Sequence, residues 1–484
     1  MKKILYILSV AAVSVTSCAK LEESPDSIIT TEQFYKTSAD AVSAINSVYT
    51  AGLNPGPIMM YNRLFNIAVE VQSDDVIAGQ RVTNVDVRAM SALTYSTTND
   101  RIDELWKEHY IAIDRANIAI DKIPAIDMDG TLRTRLVNEA KFLRGLLYFN
   151  LVRLWGEVPL VLHTPASLKQ EEIQVAKSPV EDVYQQIIQD LSDAEALPAT
   201  YAGNDIGRAT GGAAKALLSK VYLTRQEWAK AASKALEVIN GPYGYALFEN
   251  FSDVFNVATK NGKEHIFSAQ CKGGIGLGNR LAASATPVGI PGITAAGTDE
   301  PTSIAYGLYS ANDRRRATTF FTSLISPTNG RTYTFTPKFS KYWDPTSILT
   351  PTESNQNIPI IRYAEVLLIY AEALNEANAT PSAEAYEALN KVIRRAFGKA
   401  INTPDNTVDI ANLDKAAFRE EVYKQRRLEL MFEFQRWFDL IRTKRMISAL
   451  QVVGKTASEK HYLFPIPQHE IDLNPKLEQN PLWK

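Results

Sequence analysis

The chain has 484 residues, 45% hydrophobic and 22% charged, and 52 lysines and arginines against 54 aspartates and glutamates leave a formal charge of −2. That balance excludes the strongly basic surface that grips nucleic acid or anionic membranes. Two cysteines exclude a disulfide-stapled scaffold, so stability has to come from a packed core of ordinary composition.

In chain order, the first element is an export leader. Lys2 and Lys3 precede an apolar run over residues 4–15 that stops at Val15-Thr16-Ser17-Cys18. The run is shorter than the roughly 20 residues that span a bilayer, and its flanks are those of a cleaved signal, so residues 1–17 are set apart from the fold. The segment resembles bacterial lipoprotein signals, which implies cleavage before Cys18 and lipidation of its thiol and amine. Several acyl chains then tether the protein where one would bind only marginally. The alternative is an ordinary cleaved signal in which Cys18 is incidental. Loss of Lys2 and Lys3 takes the formal charge from −2 to −4. With Cys18 acylated, Cys271 cannot form an intrachain disulfide. The following Lys20-Leu21-Glu22-Glu23 resembles the acidic export signal of surface-exposed lipoproteins in some Gram-negative groups.

Most of the mature chain has a helical apolar period. Thr30-Thr31-Glu32-Gln33 offers a capping start for a helix carrying Phe34, Ala41, Val42, Ile45, Val48 and Tyr49 on one stripe. A second helix is predicted over 101–123, stopped by Pro124, and a third over 132–155, broken by Gly156 and Pro159. Ser178-Pro179-Val180-Glu181 predicts another start, with Ser178 as N-cap, Pro179 at the first helical position and Glu181 completing a capping box. Two later segments, around Ala214 to Ile239 and Ala364 to Val392, read as copies of one alanine-rich helical hairpin. Stacked pairs of this kind build tetratricopeptide-like solenoids.

From about 253 to 357 the helical period disappears under repeated Gly and Pro, with short strands expected at His265-Ile266-Phe267-Ser268 and Arg331-Thr332-Tyr333-Thr334-Phe335. A section of this length inside a compact protein is expected to be an elaborated loop region that carries function. The five histidines are scattered, with no pair at metal-ligand spacing on one helix. Gly274, Gly276 and Gly278 do not fit a dinucleotide loop. Adjacent Asp74 and Asp75 cannot readily oppose each other across a glycosidic bond, so a local hydrogen-bonding or packing role is expected of them.

Three late segments carry a family resemblance. They are Ile358-Pro359-Ile360-Ile361-Arg362-Tyr363-Ala364-Glu365 running on to Asn375, Arg426-Arg427-Leu428-Glu429-Leu430-Met431-Phe432-Glu433-Phe434-Gln435-Arg436-Trp437 running on to Arg442, and Pro465-Ile466-Pro467 with Asn474-Pro475 and Gln479-Asn480-Pro481. Together they resemble the signatures of the SusD/RagB family of outer-membrane nutrient-binding lipoproteins. The resemblance implies a mainly α fold: a tetratricopeptide-like α/α superhelix beside a long irregular ligand-binding section. On this reading residues 18–240 form an N-terminal helical region, 241–357 the loop-rich section and 358–484 the C-terminal helical region. It also implies capture of an oligosaccharide at the cell surface and its delivery to a SusC-like TonB-dependent transporter. No catalysis, cofactor, metal or nucleic acid is implied. The alternatives are a peptide or glycoprotein ligand, a lipid-anchored glycoside hydrolase, and a structural or adhesive surface protein, which the dedicated loop section disfavours.

The charged residues of the second signature, read physically as one helix with a buried stripe, are expected to pair with each other and with neighbouring helices. Sugar rings need flat aromatic faces and planar polar groups. In starch-binding relatives the site resembles an aromatic arc drawn from the loop after the early Asp-Asp and from the section before the C-terminal helices. Here Arg81, Asn84 and Tyr95 from the first and Tyr306, Tyr309 and Tyr333 from the second are the ligand-binding candidates. Trp343 is read as packing.

Overall fold

The computed structural model describes residues 34–53, 60–165, 167, 169–345 and 353–484. The expected leader, Cys18, Glu22-Glu23 and the Thr30-Thr31-Glu32-Gln33 start lie outside these residues. The frame is a succession of antiparallel helices: α1 (Ser38–Leu53), α2 (Val85–Ala92), α3 (Asp100–Lys122), α4 (Gly130–Trp155), α5 (Val180–Ala194), α6 (Gly211–Thr224) and α7 (Trp228–Ile239), resumed by α8 (Tyr363–Ala377), α9 (Ala383–Ala396), α10 (Lys415–Leu430), α11 (Arg436–Arg442) and α12 (Met446–Val452). Each of α3 to α8 packs on the next, α1 covers α3 and α4, and α8 also packs on α9 and α10.

Local chemistry explains these helices. Asn99 caps α3, its side chain accepting from the backbone of Arg101 and Ile102, and Ile102, Leu105, Trp106, Ile113 and Ala116 bury one stripe. Asp129 caps α4, which stops at Gly156 in a backbone conformation of φ 74°. α6 and α7 pack on each other and bury Ala213, Ala214 and Ala216 on the first and Ala231, Ala232 and Ala235 on the second, and both expected hairpins form. The start of α5 departs from expectation. Pro179 is the N-cap and no side-chain capping bond forms. Ser178 is instead held extended, its N–H donating to the Val158 carbonyl at 2.9 Å.

Two further expectations are corrected within the signatures. Ile358–Arg362 is a strand, and helix begins only at Tyr363. The 426–442 segment is two helices, broken between Leu430 and Arg436 where Phe432 and Phe434 adopt left-handed backbones of φ 61° and 64°. Tertiary contacts impose this break. Phe432 stacks on Phe339 with centroids 4.3 Å apart and planes within 5°, Phe434 packs edge-on against Tyr61 and Phe65, and its N–H donates to the buried Glu70 carboxylate. Strain of about 1–3 kcal/mol per residue persists only under such constraint.

Short strands run through the section between α7 and α8, and one more lies ahead of α2. β1 (Val76–Ala78) pairs antiparallel with β3 (Asp299–Pro301), Val76 opposite Pro301 and Ala78 opposite Asp299. β2 (His265–Ala269) pairs with β6 (Ile358–Arg362), and β4 (Phe320–Ile325) with β5 (Thr332–Phe339) as a hairpin. Both strands expected from the sequence, at 265–268 and 331–335, fall within β2 and β5 or at their ends.

Candidate functional site

The irregular section is fastened by buried charge. Arg362, 1% exposed, donates to Glu264 at 2.9 Å and Glu433 at 2.6 Å, and also meets Glu429. Arg395 reaches Glu264 and Glu429, Arg315 reaches Asp313 at 2.7 Å and Glu429 at 3.4 Å, and Lys341 reaches Glu433 at 2.6 Å. Arg315, Lys341, Arg362 and Arg395 thus face Glu264, Asp313, Glu429 and Glu433, and the charges cancel. Burial opposes ionisation of Glu429, but Arg395, Arg362 and Arg315 outweigh it and hold the carboxyl well below the usual range. The pairing expected of the second signature is therefore present, although its residues lie on two helices.

Asp74 and Asp75 are fastened in the same way. Arg436 grips Asp74 through two nitrogens at 2.8 and 2.7 Å, and Arg427 grips Asp75 at 2.9 and 2.6 Å. Lys455 donates to the carbonyls of Val71, Ser73 and Val76 at 2.6–2.8 Å. The two aspartates position the entry to β1.

From there the chain builds a loop surface. Gly79 donates to the Thr298 carbonyl at 2.7 Å, and a Cβ on Gly79 would lie 2.4 Å from the Gly297 oxygen, so only glycine permits this approach. The loop before β3 is tied to the hairpin by Ser326, whose hydroxyl donates to the Pro291 carbonyl at 2.7 Å, and Lys338 bonds Glu300 at 3.1 Å. The sequence Thr332-Tyr333-Thr334-Phe335-Thr336 alternates faces. Its three threonines are exposed, while Tyr333 and Phe335 are half-buried on the other face. Phe321 joins Phe335 at 5.4 Å and Trp343 at 5.6 Å, and all three rings stay partly accessible. This partly accessible aromatic strip offers the flat face that a sugar ring needs, while the threonine hydroxyls stand on the opposite face of the strand.

The structure separates the sequence-predicted residues. Arg81 is exposed on the turn tied to Thr298, and Tyr333 lies on the hairpin, its hydroxyl accepting from Asn329 at 3.1 Å. Tyr306 follows the opposite end of the β1–β3 pair and is half-buried, with its ring against Phe320 and under the Arg316 guanidinium at 5.3 Å. Asn84 is the N-cap of α2, its side-chain oxygen accepting from Val87 at 3.0 Å, so that atom already serves the helix. Tyr95 and Tyr309 are corrected to core residues. Tyr95, 3% exposed, stacks on Trp483 at 5.3 Å and meets His461 and Phe464 edge-on. Tyr309, 3% exposed, donates to the Leu428 carbonyl at 2.7 Å. Phe321 and Phe335 were missed and Trp343 was read as packing alone, although the Thr-aromatic alternation of β5 signalled a two-faced strand.

Two larger cavities, of about 900 and 470 Å³, lie along α10 and share Leu308, Lys424 and Leu428. Much of their charge is already paired within the protein: Lys424 with Glu421 at 3.1 Å, Arg427 with Asp75, and Arg445 with Glu420.

Comparison with known proteins agrees with this architecture. Residues 21–223 match the family model described as starch-binding associating with outer membrane, and residues 322–483 match that of the SusD family. SusD-like protein P2 of Formosa agariphila is 31% identical, over 99% of this chain and 99% of its own. A SusD superfamily protein from Parabacteroides distasonis superposes with a TM-score of 0.80 at 27% identity, covering 92% of this chain and 98% of that one. A solved laminarin binding SusD-like protein gives 0.78 at 26%, covering 92% and 100%. The chain belongs to the SusD/RagB family.

Proposed function

We propose that this protein binds glycan at the outer membrane: lipid-anchored through Cys18 and facing outward, it captures oligosaccharides and delivers them to a SusC-like TonB-dependent transporter without cleaving them. The observation that carries the reading is the loop surface described above, where partly exposed Phe321, Phe335 and Trp343 form an aromatic strip on a charge-fastened frame. Aromatic faces take the C–H side of a sugar ring, and exposed planar polar groups such as Arg81 take its polar edge. Asp74 and Asp75 are each gripped by arginine, which argues against their use as an acid–base pair. The name of a relative described as laminarin binding puts laminarin first in a ligand panel.

Calorimetric titration with laminarin, starch and mannan oligosaccharides tests the reading. Phe335→Ala with Trp343→Ala should weaken binding at least about tenfold, since each stacked ring contributes on the order of 1 kcal/mol. Binding of peptides and of no glycan would transfer the site to the peptide class, and sustained release of reducing ends would transfer the protein to the enzymes. Cys18→Ala should leave a folded, soluble protein, and mature wild-type protein without lipid by mass spectrometry would refute the anchor.

A further inference from the structure

Outside that loop surface, two small cavities adjoin at the turn of Ile206, Gly207 and Arg208. One, of about 220 Å³, opens beside Tyr201, Tyr243 and Tyr245; the other, of about 300 Å³, opens beside Asn46, Tyr49 and Gln270. We propose that together they form a second subsite for a neutral oligosaccharide, one sugar ring in each cavity with the chain crossing at Gly207. The proposal rests on the glycan-binding reading above.

The tyrosines are built into place. Tyr243 and Tyr245 stack with centroids 5.6 Å apart and planes 25° from parallel. They sit on Gly212 of α6, where a Cβ would come within 2.8 Å of both rings, and Gly241 clears Tyr243, where a Cβ would stand 2.4 Å from its ring. The Tyr245 and Thr210 hydroxyls are bonded at 2.9 Å, fixing one ring, yet both rings remain half-exposed. Rigid, partly open aromatic faces suit the C–H side of a pyranose.

The polar groups are planar and largely neutral. Asn261 and Gln270 exchange amide bonds at 2.8 and 3.0 Å, and the Asn357 amide donates to both, at 3.1 and 2.9 Å. Arg208 is held by Asp205 at 2.6 Å, Glu139 at 2.9 Å and Asn46 at 2.8 Å, so its charge is balanced within the protein and does not select an anion. Lys263 makes a long contact to Glu249, at 3.9 Å, and lies 5.9 Å over the Phe248 ring, and its ammonium can donate to a hydroxyl. Gly207, with φ 97°, keeps the crossing low: a Cβ there would lie 2.6 Å from the Gln270 amide. The smaller cavity alone falls below the roughly 300–1,000 Å³ of most ligand sites, whereas the two joined lie within it.

The test uses the full chain labelled with 3-fluorotyrosine, the Tyr243 and Tyr245 signals assigned by Tyr→Phe substitution, and the same laminarin, starch and mannan oligosaccharides. Both signals should move saturably with a bound glycan, in wild type and in the Phe335→Ala/Trp343→Ala variant. Tyr243→Ala with Lys263→Ala should weaken this event at least about fivefold while the loop surface still binds. Signals that stay still while the loop surface binds, or that move only when it is intact, overturn the second subsite alone. No glycan binding at either place overturns both readings.

Discussion

Removal of the Glu429 carboxylate tests whether buried charge holds the loop section to the helices. Glu429 is fully buried and meets Arg315, Arg362 and Arg395. Breaking a buried pair by deleting one partner costs about 3–5 kcal/mol. In Glu429→Ala, Arg315 keeps Asp313 at 2.7 Å, Arg362 keeps Glu264 and Glu433, and Arg395 keeps Glu264 at 3.1 Å, so no guanidinium is orphaned. That places the electrostatic loss near 3 kcal/mol, and the vacated volume adds about 1 kcal/mol more. At about 2.1 cal/mol/K per residue, a chain of this length unfolds with an entropy near 1 kcal/mol/K, so the total corresponds to a fall of about 4 °C in Tm. Scanning calorimetry at one fixed scan rate measures it, and Arg395→Ala completes a double-mutant cycle with an expected coupling of about 1.5 kcal/mol. The sign with pH follows from the depressed carboxyl. Its stabilisation is complete above the unfolded value of about 4.3 and is lost as pH falls through the much lower folded value, so Glu429→Gln should differ from wild type most at neutral pH and converge in strong acid. A Glu429→Ala protein melting within about 1 °C of wild type, or losses that simply add, would refute the reasoning.

Asp299 carries the opposite sign: burial raises it to about 6 despite the Asn66 amide, so its contribution is full below about 3.9 and is lost as pH rises through 6. Asp299→Asn should therefore raise Tm at pH 8, by at most about 3 °C from a shift worth about 3 kcal/mol, and match wild type near pH 4; a pH-independent difference would contradict this. Lys455→Met leaves the carbonyls of Val71, Ser73 and Val76 without their donor and should cost about 3 kcal/mol, with faster amide exchange over residues 71–76 as the local readout. Tyr309→Phe should cost about 1 kcal/mol by removing the bond to the Leu428 carbonyl while glycan affinity stays within about twofold; a larger loss of affinity would return Tyr309 to the site.

The helical frame was legible because its signals are local. Asn99 ahead of the α3 stripe, Pro124 and Gly156 as stops, and the alanines of α6 and α7 each act within a few residues of where they stand. The site was less legible because its geometry depends on contacts between distant residues. β1 and β3 are three residues each and pair across more than two hundred positions, which no periodicity announces. Tyr306 and Tyr309 look alike in sequence, yet one stays half-exposed and the other reaches the Leu428 carbonyl in the core. The break at Phe432 and Phe434 is hidden for the same reason: Phe339, Tyr61, Phe65 and Glu70, all remote in sequence, hold the left-handed turns.

The placement of the buried charges bears on how such a protein changes its ligand. Arg315 precedes β4, Lys341 follows β5 and Arg362 ends β6, and each bonds Glu429 or Glu433 at or just past the end of α10, while Glu264, which precedes β2, joins them through Arg362 and Arg395. The β4–β5 hairpin therefore begins and ends on buried ion pairs, while Phe321, Tyr333 and Phe335 project from the stretch between them. A side chain in that stretch can be exchanged without leaving a buried charge unpaired, whereas exchange at Arg315 strips buried Asp313 of its ion-pair partner, at about 3–5 kcal/mol. The charged signature by which the family is recognised thus serves the fold, and its physical consequence is to make the neighbouring loop surface, the proposed binding surface, replaceable at low energetic cost.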